Sequence, residues 1–464
     1  MHRPQKTSKD GYLLEHKVEP EHKAEACSIL HAEPRRRDGE SSELISEIID
    51  RDNLNRAYKR VKKNKGKPGI DGMTVDKLPL FLAEERRSLV LSIKDGTYQP
   101  QPVKRVEIPK QDGSKRKLGI PTVKDRLVQQ AILQVIEKWI NPHFSENSFG
   151  FRPNRSAHDA IGKAKQYYEE RYRYVVDIDM KQYFDTVNHD KLMYHVEEFI
   201  QDPIVLKLIR KFLRSGIMIG EKYEPSEVGT PQGGNLSPLL SNAYLHQLDL
   251  ELERRGHKFI RYADDCNIYV KSQRAGERVL KSITKFLEEK LKLTVNKEKS
   301  EVGKPTKRKF LGFCIHPTRN GAQVRPHTKA KKSLEEKVRK LTSRKRPGEI
   351  REIIKEVNQV TRGWINYYGV GLVKTYVQEI DRWIRRRIRQ IIWKRWKKVK
   401  TRFKSLIKLK IPKQKAWEWA NTRKGYWHIS NSFILNTAIA NHLLERIGLL
   451  NLTQLYSSIN SKHT

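Results

Sequence analysis

The chain has 464 residues, 94 of them Lys or Arg and 54 Asp or Glu, for a formal net charge of +40 at pH 7. That excess selects a polyanionic partner, and a 37% hydrophobic content over this length allows two to four domains and excludes a generally disordered chain. No apolar run approaches the roughly 20 residues of a membrane helix, Met1-His2-Arg3-Pro4 opens no signal-peptide core, and the isolated Cys27, Cys266 and Cys314 supply neither a disulfide framework nor a zinc module, so nucleic acid in the cytoplasm is expected and a membrane is not.

Residues 1–42 are polar, without a sustained period, and read as a flexible extension. Leu44, Ile45, Ile48, Ile49, Leu54 and Tyr58 then predict a helix ending at the glycine-rich basic loop 64–72. That loop reads either as a nucleic-acid contact or as plain surface. Alternation on both sides of Asp112-Gly113-Ser114 predicts a hairpin over 103–121, with Lys110 and Arg116 projecting from opposed strands toward one region. A Lys with a forked Arg suits a triphosphate, and equally a solvated sheet edge. A helix follows over 125–139 with Leu127, Ala131, Ile132, Val135 and Ile136 inward, and after it comes Phe149-Gly150-Phe151-Arg152-Pro153.

From about 174 to 315 strands alternate with helices. Tyr174 to Met180 reads as a buried strand ending in acid at Asp179, and Phe259-Ile260 and Ile268-Tyr269-Val270 read as strands around a turn carrying Asp264-Asp265. A lone Asp-Asp would be an ordinary hairpin tip. Here the turn lets both acids approach one point, and like charges held close call for a cation. With Asp179, and with the Met180 carbonyl as a further ligand, the set would hold two Mg2+ ions, Mn2+ substituting, in the arrangement that serves phosphoryl transfer. Asp177 is expected to face the other way.

The last 140 residues change character. Apolar stripes over 349–368 and 373–399 predict two long helices of a bundle. Residues 381–410 hold 14 Lys and Arg against one acid, Asp381, so Arg385, Arg386 and Arg389, away from the stripe, read as a phosphate-binding face. Beyond Pro412, Trp417, Trp419, Arg423, Lys424, Tyr426 and Trp427 suit either base stacking with phosphate contacts or the core of a small helical domain.

Tyr262-Ala263-Asp264-Asp265 after an apolar strand, Asp179 with Phe184 five residues on, and Gly229-Thr230-Pro231-Gln232-Gly233-Gly234 between them resemble the palm of a reverse transcriptase. With Asn235-Leu236-Ser237-Pro238-Leu239-Leu240 attached, the chain resembles the group II intron-encoded reverse transcriptase/maturase family over roughly 43 to 450. The resemblance implies an α+β right-hand polymerase, with fingers and a palm built on antiparallel sheet. Its domains would be an N-terminal extension and fingers over 43–173, the palm over 174–322, a helical thumb or maturase domain over 323–410, and a small helical DNA-binding domain over 411–464.

It implies catalysis by Asp179, Asp264 and Asp265, triphosphate contacts from Lys110 and Arg116, Phe184 as the ring that excludes a 2′-hydroxyl, and Gln232 beside the nucleotide. Tyr262 and Lys299 would meet the primer, Arg152 would help set the template path, and Arg423 and Lys424 would bind DNA in the bacterial class C form that lacks an endonuclease. The implied activity is RNA-directed DNA synthesis from dNTPs, using an RNA template with a DNA primer, together with intron RNA binding for splicing and target DNA for mobility, at the bacterial nucleoid. The competing readings are a splicing-only maturase, against which the intact acids argue, and a retron, diversity-generating or CRISPR-associated enzyme, against which the long basic C-terminus argues.

Overall fold

The computed structural model describes residues 41–109, 113, 115–230 and 233–461. The helix expected near Ser42 is two helices, Ser41–Ile49 and Arg51–Asn64. Asp50 makes the break, because its Oδ1 accepts from the amides of Asp52 and Asn53 at 2.9 and 3.1 Å and caps the second helix. Both pack on Val123–Ile140, in which Leu127, Ala131, Ile132, Val135 and Ile136 are buried as expected. Among the described residues, those from 41 to 303 without Tyr168–Glu170 form one compact unit, and Tyr168–Glu170 with residues 304–461 form a second.

The first unit contains β1 (Val103–Pro109), β2 (Lys115–Ile120), β3 (Tyr174–Ile178), β4 (Ile217–Ile219), β5 (Lys222–Glu224), β6 (Lys258–Tyr262), β7 (Asp265–Val270) and β8 (Glu301–Gly303). β1 and β2 make the expected hairpin, with Ile108 opposite Arg116. β1 also pairs in parallel with β4, so this sheet, ordered β2-β1-β4-β5, is mixed rather than wholly antiparallel. The other sheet, ordered β6-β7-β3-β8, is antiparallel throughout. Helix Gln273–Glu289 packs on β3, β7 and β8 through Gly276, Val279, Ile283 and Leu287, one stripe at helical spacing. Cys266 to Val270 are consequently all buried.

In the second unit, β9 (Phe313–Thr318) and β10 (Gly321–Pro326) form a hairpin, followed by helices Thr328–Leu341, Ile350–Tyr368 and Lys374–Arg395. The last stops short of the expected Val399, since Trp396 leaves helical geometry at ψ 57° and a separate helix, Val399–Lys408, begins after it. One apolar core runs from Leu334 through Ile353, Val377 and Ile388 to Trp419, Leu435, Leu444 and Leu452. The segment past Pro412 thus shares its core with the bundle. Among the described residues no helix is long and apolar enough to cross a membrane.

Candidate active site

Tyr262 pairs with Asp265, so Ala263 and Asp264 make a two-residue turn and Asp265 already begins β7. Ala263 sits at φ 58°, a left-handed conformation that tight hairpins use and a Cβ resists. Across the sheet, Ile178 pairs with Cys266, which carries Asp179 to the level of Asp265. Asp179 is fixed by the segment after helix Gln273–Glu289. Its amide donates to Ser300 Oγ at 2.9 Å, its carbonyl accepts from Asn296 N at 2.8 Å, and its Oδ2 accepts from Asn296 Nδ2 at 3.1 Å. The bridge between Met180 and Val295 uses Asp179 O and Lys181 N, leaving the Met180 carbonyl pointing away from that segment. Lys299 Nζ lies 3.9 Å from Asp179 Oδ2 in a solvent-exposed pair. Asp177 does not face the other way: two residues from Asp179 on an alternating strand it has the same parity, and it pairs with Asn267 and Glu301.

Burial, with the Asp179 charge added to it, raises the Asp264 carboxyl above the ordinary carboxylate range, while its own backbone N–H, Arg116 and Arg261 pull it down. The Asp264 carboxyl thus senses the charges of both Asp179 and Arg116. Among the described residues, no group of three or more His, Cys, Asp or Glu side chains stands close enough to hold a metal ion, so the three acids are not drawn into a single cluster. The donor set is nonetheless all oxygen and its like charges oppose each other, which fits a hard divalent cation.

Behind the turn lies a network that sequence reasoning missed. Arg261 and Asp249, both fully buried, pair through Nε to Oδ1 at 2.7 Å and Nη2 to Oδ2 at 2.6 Å. Arg261 Nη1 also donates to Asn242 Oδ1 at 2.8 Å and to the Ala263 carbonyl at 3.0 Å. Asn242 Nδ2 in turn donates to the Gly150 carbonyl at 2.8 Å. Gly150 lies so close to the turn that a Cβ there would stand 2.2 Å from Ala263 N. The available signal was a lone guanidinium inside the apolar strand Phe259-Ile260-Arg261.

Arg116 is exposed on β2, and its charge is one of those that pull the Asp264 carboxyl down. Lys110 and Gln232 lie outside the described residues. The loop containing Gln232 is anchored at both ends: Thr230 N donates to Phe184 O and Gly229 N to Val187 O, each at 2.7 Å, and Asn235 N donates to Gln129 Oε1 at 2.8 Å. At Gly233, φ is 121° and a Cβ would stand 2.3 Å from the Gly119 carbonyl of β2, so the loop can close on the hairpin only with glycine there. Phe184 is half-buried at the rim of the core, its ring edge-on to Tyr183 at 5.1 Å.

Several expected nucleic-acid contacts are spent inside the fold. Arg152, 9% exposed, donates to Asn141 Oδ1 and O and to the carbonyls of Ser145 and Ser148, clamping its own loop instead of facing a template. Arg385 and Arg389, 3% and 6% exposed, are not on a solvated face. Arg385 pairs with Asp381 at 2.7 Å and Glu445 at 3.0 Å, and Arg389 donates to Ile439 O and Asn441 Oδ1, each at 2.8 Å. Arg386, half-buried, stacks on Trp427 at 3.7 Å and donates to its carbonyl. The physical reason is that the segment past Pro412 folds back over this side of Lys374–Arg395. Arg423 and Lys424 remain exposed, with Trp417 61% exposed on the neighbouring helix, and Tyr262 is half-buried beside the acid turn.

Residues 108–315 match the reverse transcriptase (RNA-dependent DNA polymerase) family, and residues 331–409 match the group II intron maturase-specific domain. Among curated proteins, the chain is 31% identical over 410 residues to the group II intron-encoded protein LtrA of Lactococcus lactis subsp. cremoris, covering 68% of each chain. It is 35% identical over 273 residues to protein YkfC of Escherichia coli strain K12, covering 51% of this chain and 72% of that one. A solved partial Cas6-RT-Cas1–Cas2 complex matches at 23% identity and a TM-score of 0.34, over 53% of this chain and 42% of that one, a likeness too slight to bear on function.

Proposed function

The chain belongs to the group II intron-encoded proteins that join a reverse transcriptase to a maturase, and on that premise we propose that Asp179 and Asp264 are the acids at which it extends a DNA primer. The enzyme is an RNA-directed DNA polymerase with the divalent-metal dependence of that domain, and intron RNA is its partner. The observation that carries the site assignment is the register of the antiparallel sheet, which sets Asp179 level with Asp265 beside the turn that bears Asp264.

Two Mg2+ ions, replaceable by Mn2+, would be held by Asp179, Asp264, Asp265 and the Met180 carbonyl, and would supply charge neutralisation for the attacking hydroxyl and the triphosphate. The protein's own part is positioning. The primer 3′-hydroxyl attacks the α-phosphorus and pyrophosphate leaves, a reaction that needs little covalent help from side chains. Arg116 neutralises the triphosphate, a task the family resemblance gives to Lys110 as well. Phe184 fills the space beneath the sugar and discriminates against a 2′-hydroxyl by steric exclusion. By the family resemblance Gln232 contacts the nucleotide, and Tyr262 and Lys299 flank the primer end.

In this reading the first compact unit supplies fingers and palm. The second supplies the thumb and a DNA-binding segment over 411–464, whose exposed Arg423 and Lys424 would meet target DNA for target-primed synthesis. The test is extension of a DNA primer on an RNA template, run beside splicing of the candidate intron RNA. Both activities together support the reading, and faster splicing without any extension would replace it by a splicing-only maturase.

A further inference from the structure

We propose that Arg261 is a positioning residue for DNA synthesis, fixing the Ala263–Asp264 peptide plane and with it the aim of the Asp264 carboxylate. The inference rests on the assignment of Asp264 as a catalytic acid. The Ala263 carbonyl, to which Arg261 Nη1 donates at 3.0 Å, and the Asp264 N–H belong to one peptide unit. Asp264 hangs directly from that unit, so the plane of the peptide sets the direction in which its side chain leaves the backbone. Rotation of the unit would carry the carbonyl off the guanidinium and turn the Asp264 backbone, from which the carboxylate extends, in a single movement.

Something must oppose that rotation, because Ala263 occupies φ 58° with a Cβ, a conformation that persists only where its surroundings enforce it. The enforcement comes from both sides. From within the palm, the guanidinium is itself immobilised by two bonds to Asp249 and one to Asn242. On the other side, the Gly150 backbone packs against Ala263 N, and the Gly150 carbonyl is held by the same Asn242. Asn242 thus ties the brace of the turn to the wall against which the turn rests. Arg261 and Asp249 are both inaccessible to solvent, so neither can serve the reaction by touching substrate.

The experiment compares steady-state primer extension by wild type, Arg261→Lys, the double variant Asp249→Leu with Arg261→Met, and Asp264→Asn. The lysine keeps a charge beside Asp249 but cannot span Asp249, Asn242 and Ala263 together. The double variant removes both members of the pair, so no unpaired charge is left buried, the kind of exchange a fold commonly tolerates. Misplacing a catalytic group should lower kcat by about 10- to 100-fold, with the dNTP KM and primer–template affinity unchanged within about twofold. Melting curves establish that each variant is folded. A kcat close to wild type in the folded double variant, beside an inactive Asp264→Asn, would overturn the role of Arg261 alone. An active Asp264→Asn would overturn the carboxylate assignment and this inference with it.

Discussion

Replacing Arg385 by Met keeps an apolar stem of similar length and removes a guanidinium whose side chain is only 4% exposed. Asp381, its side chain 13% exposed, would lose its cation while still accepting from Leu452 N at 3.1 Å, and Glu445, 38% exposed, would lose its cation but keep Asn451 Nδ2 at 3.3 Å and stay within reach of water. Removing one partner of a buried pair costs roughly 3–5 kcal/mol, and the accessibility of Glu445 points to the lower end, about 3 kcal/mol. For a unit of about 160 residues, at about 2–4 °C per kcal/mol, the melting transition should fall by roughly 6–12 °C. The assay is calorimetric melting, paired with intron-RNA affinity measured across salt concentrations. A solvated basic face predicts the reverse: a stability change within about 0.5 kcal/mol and a log–log salt slope shallower by about 0.7–0.9. An unchanged transition with a shallower slope would refute the buried-pair reasoning.

Phe184→Ala should raise the ratio of kcat/KM for NTP over dNTP, because the half-buried ring leaves a void where a 2′-hydroxyl can sit; an unchanged ratio removes Phe184 as the gate. Arg116→Ala should raise the dNTP KM by roughly 10- to 150-fold, the equivalent of one charge-assisted contact worth about 1.5–3 kcal/mol, and a loss confined to template affinity would mean that the hairpin grips nucleic acid instead. Glu251 is held down at about 2 by its bonds to Arg254 and Arg255. A depressed folded-state value contributes stability above the unfolded glutamate value of roughly 4.3, and that contribution is lost as pH falls toward 2. Glu251→Gln should therefore melt lower than wild type at pH 7, with the gap closing on acidification, and a gap independent of pH would contradict the linkage.

The acid turn and the β1–β2 hairpin were legible because strand alternation and turn residues are local signals, readable without knowing what packs where. The helix Val123–Ile140 was legible for the same reason, its apolar positions recurring at helical spacing. Arg385 and Arg389 were misread because a helical stripe identifies one buried face and leaves the opposite face undetermined, and Arg152 because a loop motif does not reveal that its guanidinium is used up by the loop's own carbonyls. Here helices Tyr426–Ile429, Asn441–Arg446 and Leu452–Asn460 share the core of Lys374–Arg395, and arginines on a covered side become internal ties. A +40 chain also biases every Arg toward a phosphate reading, although backbone carbonyls and buried acids compete for the same donors. Arg261 was visible as a charge in an apolar strand, but its partners Asp249 and Asn242 come from one helix and Gly150 from a distant loop, so only the tertiary structure joins them.

The most direct measurement is single-turnover incorporation of one dNTP onto a DNA primer annealed to RNA, by Asp179→Asn and Asp264→Asn beside wild type, with intron-RNA affinity determined on the same preparations. Incorporation lost in both variants while the affinity for intron RNA holds is the predicted result. Incorporation near the wild-type rate in either variant would contradict the placement of the phosphoryl-transfer site on these two acids.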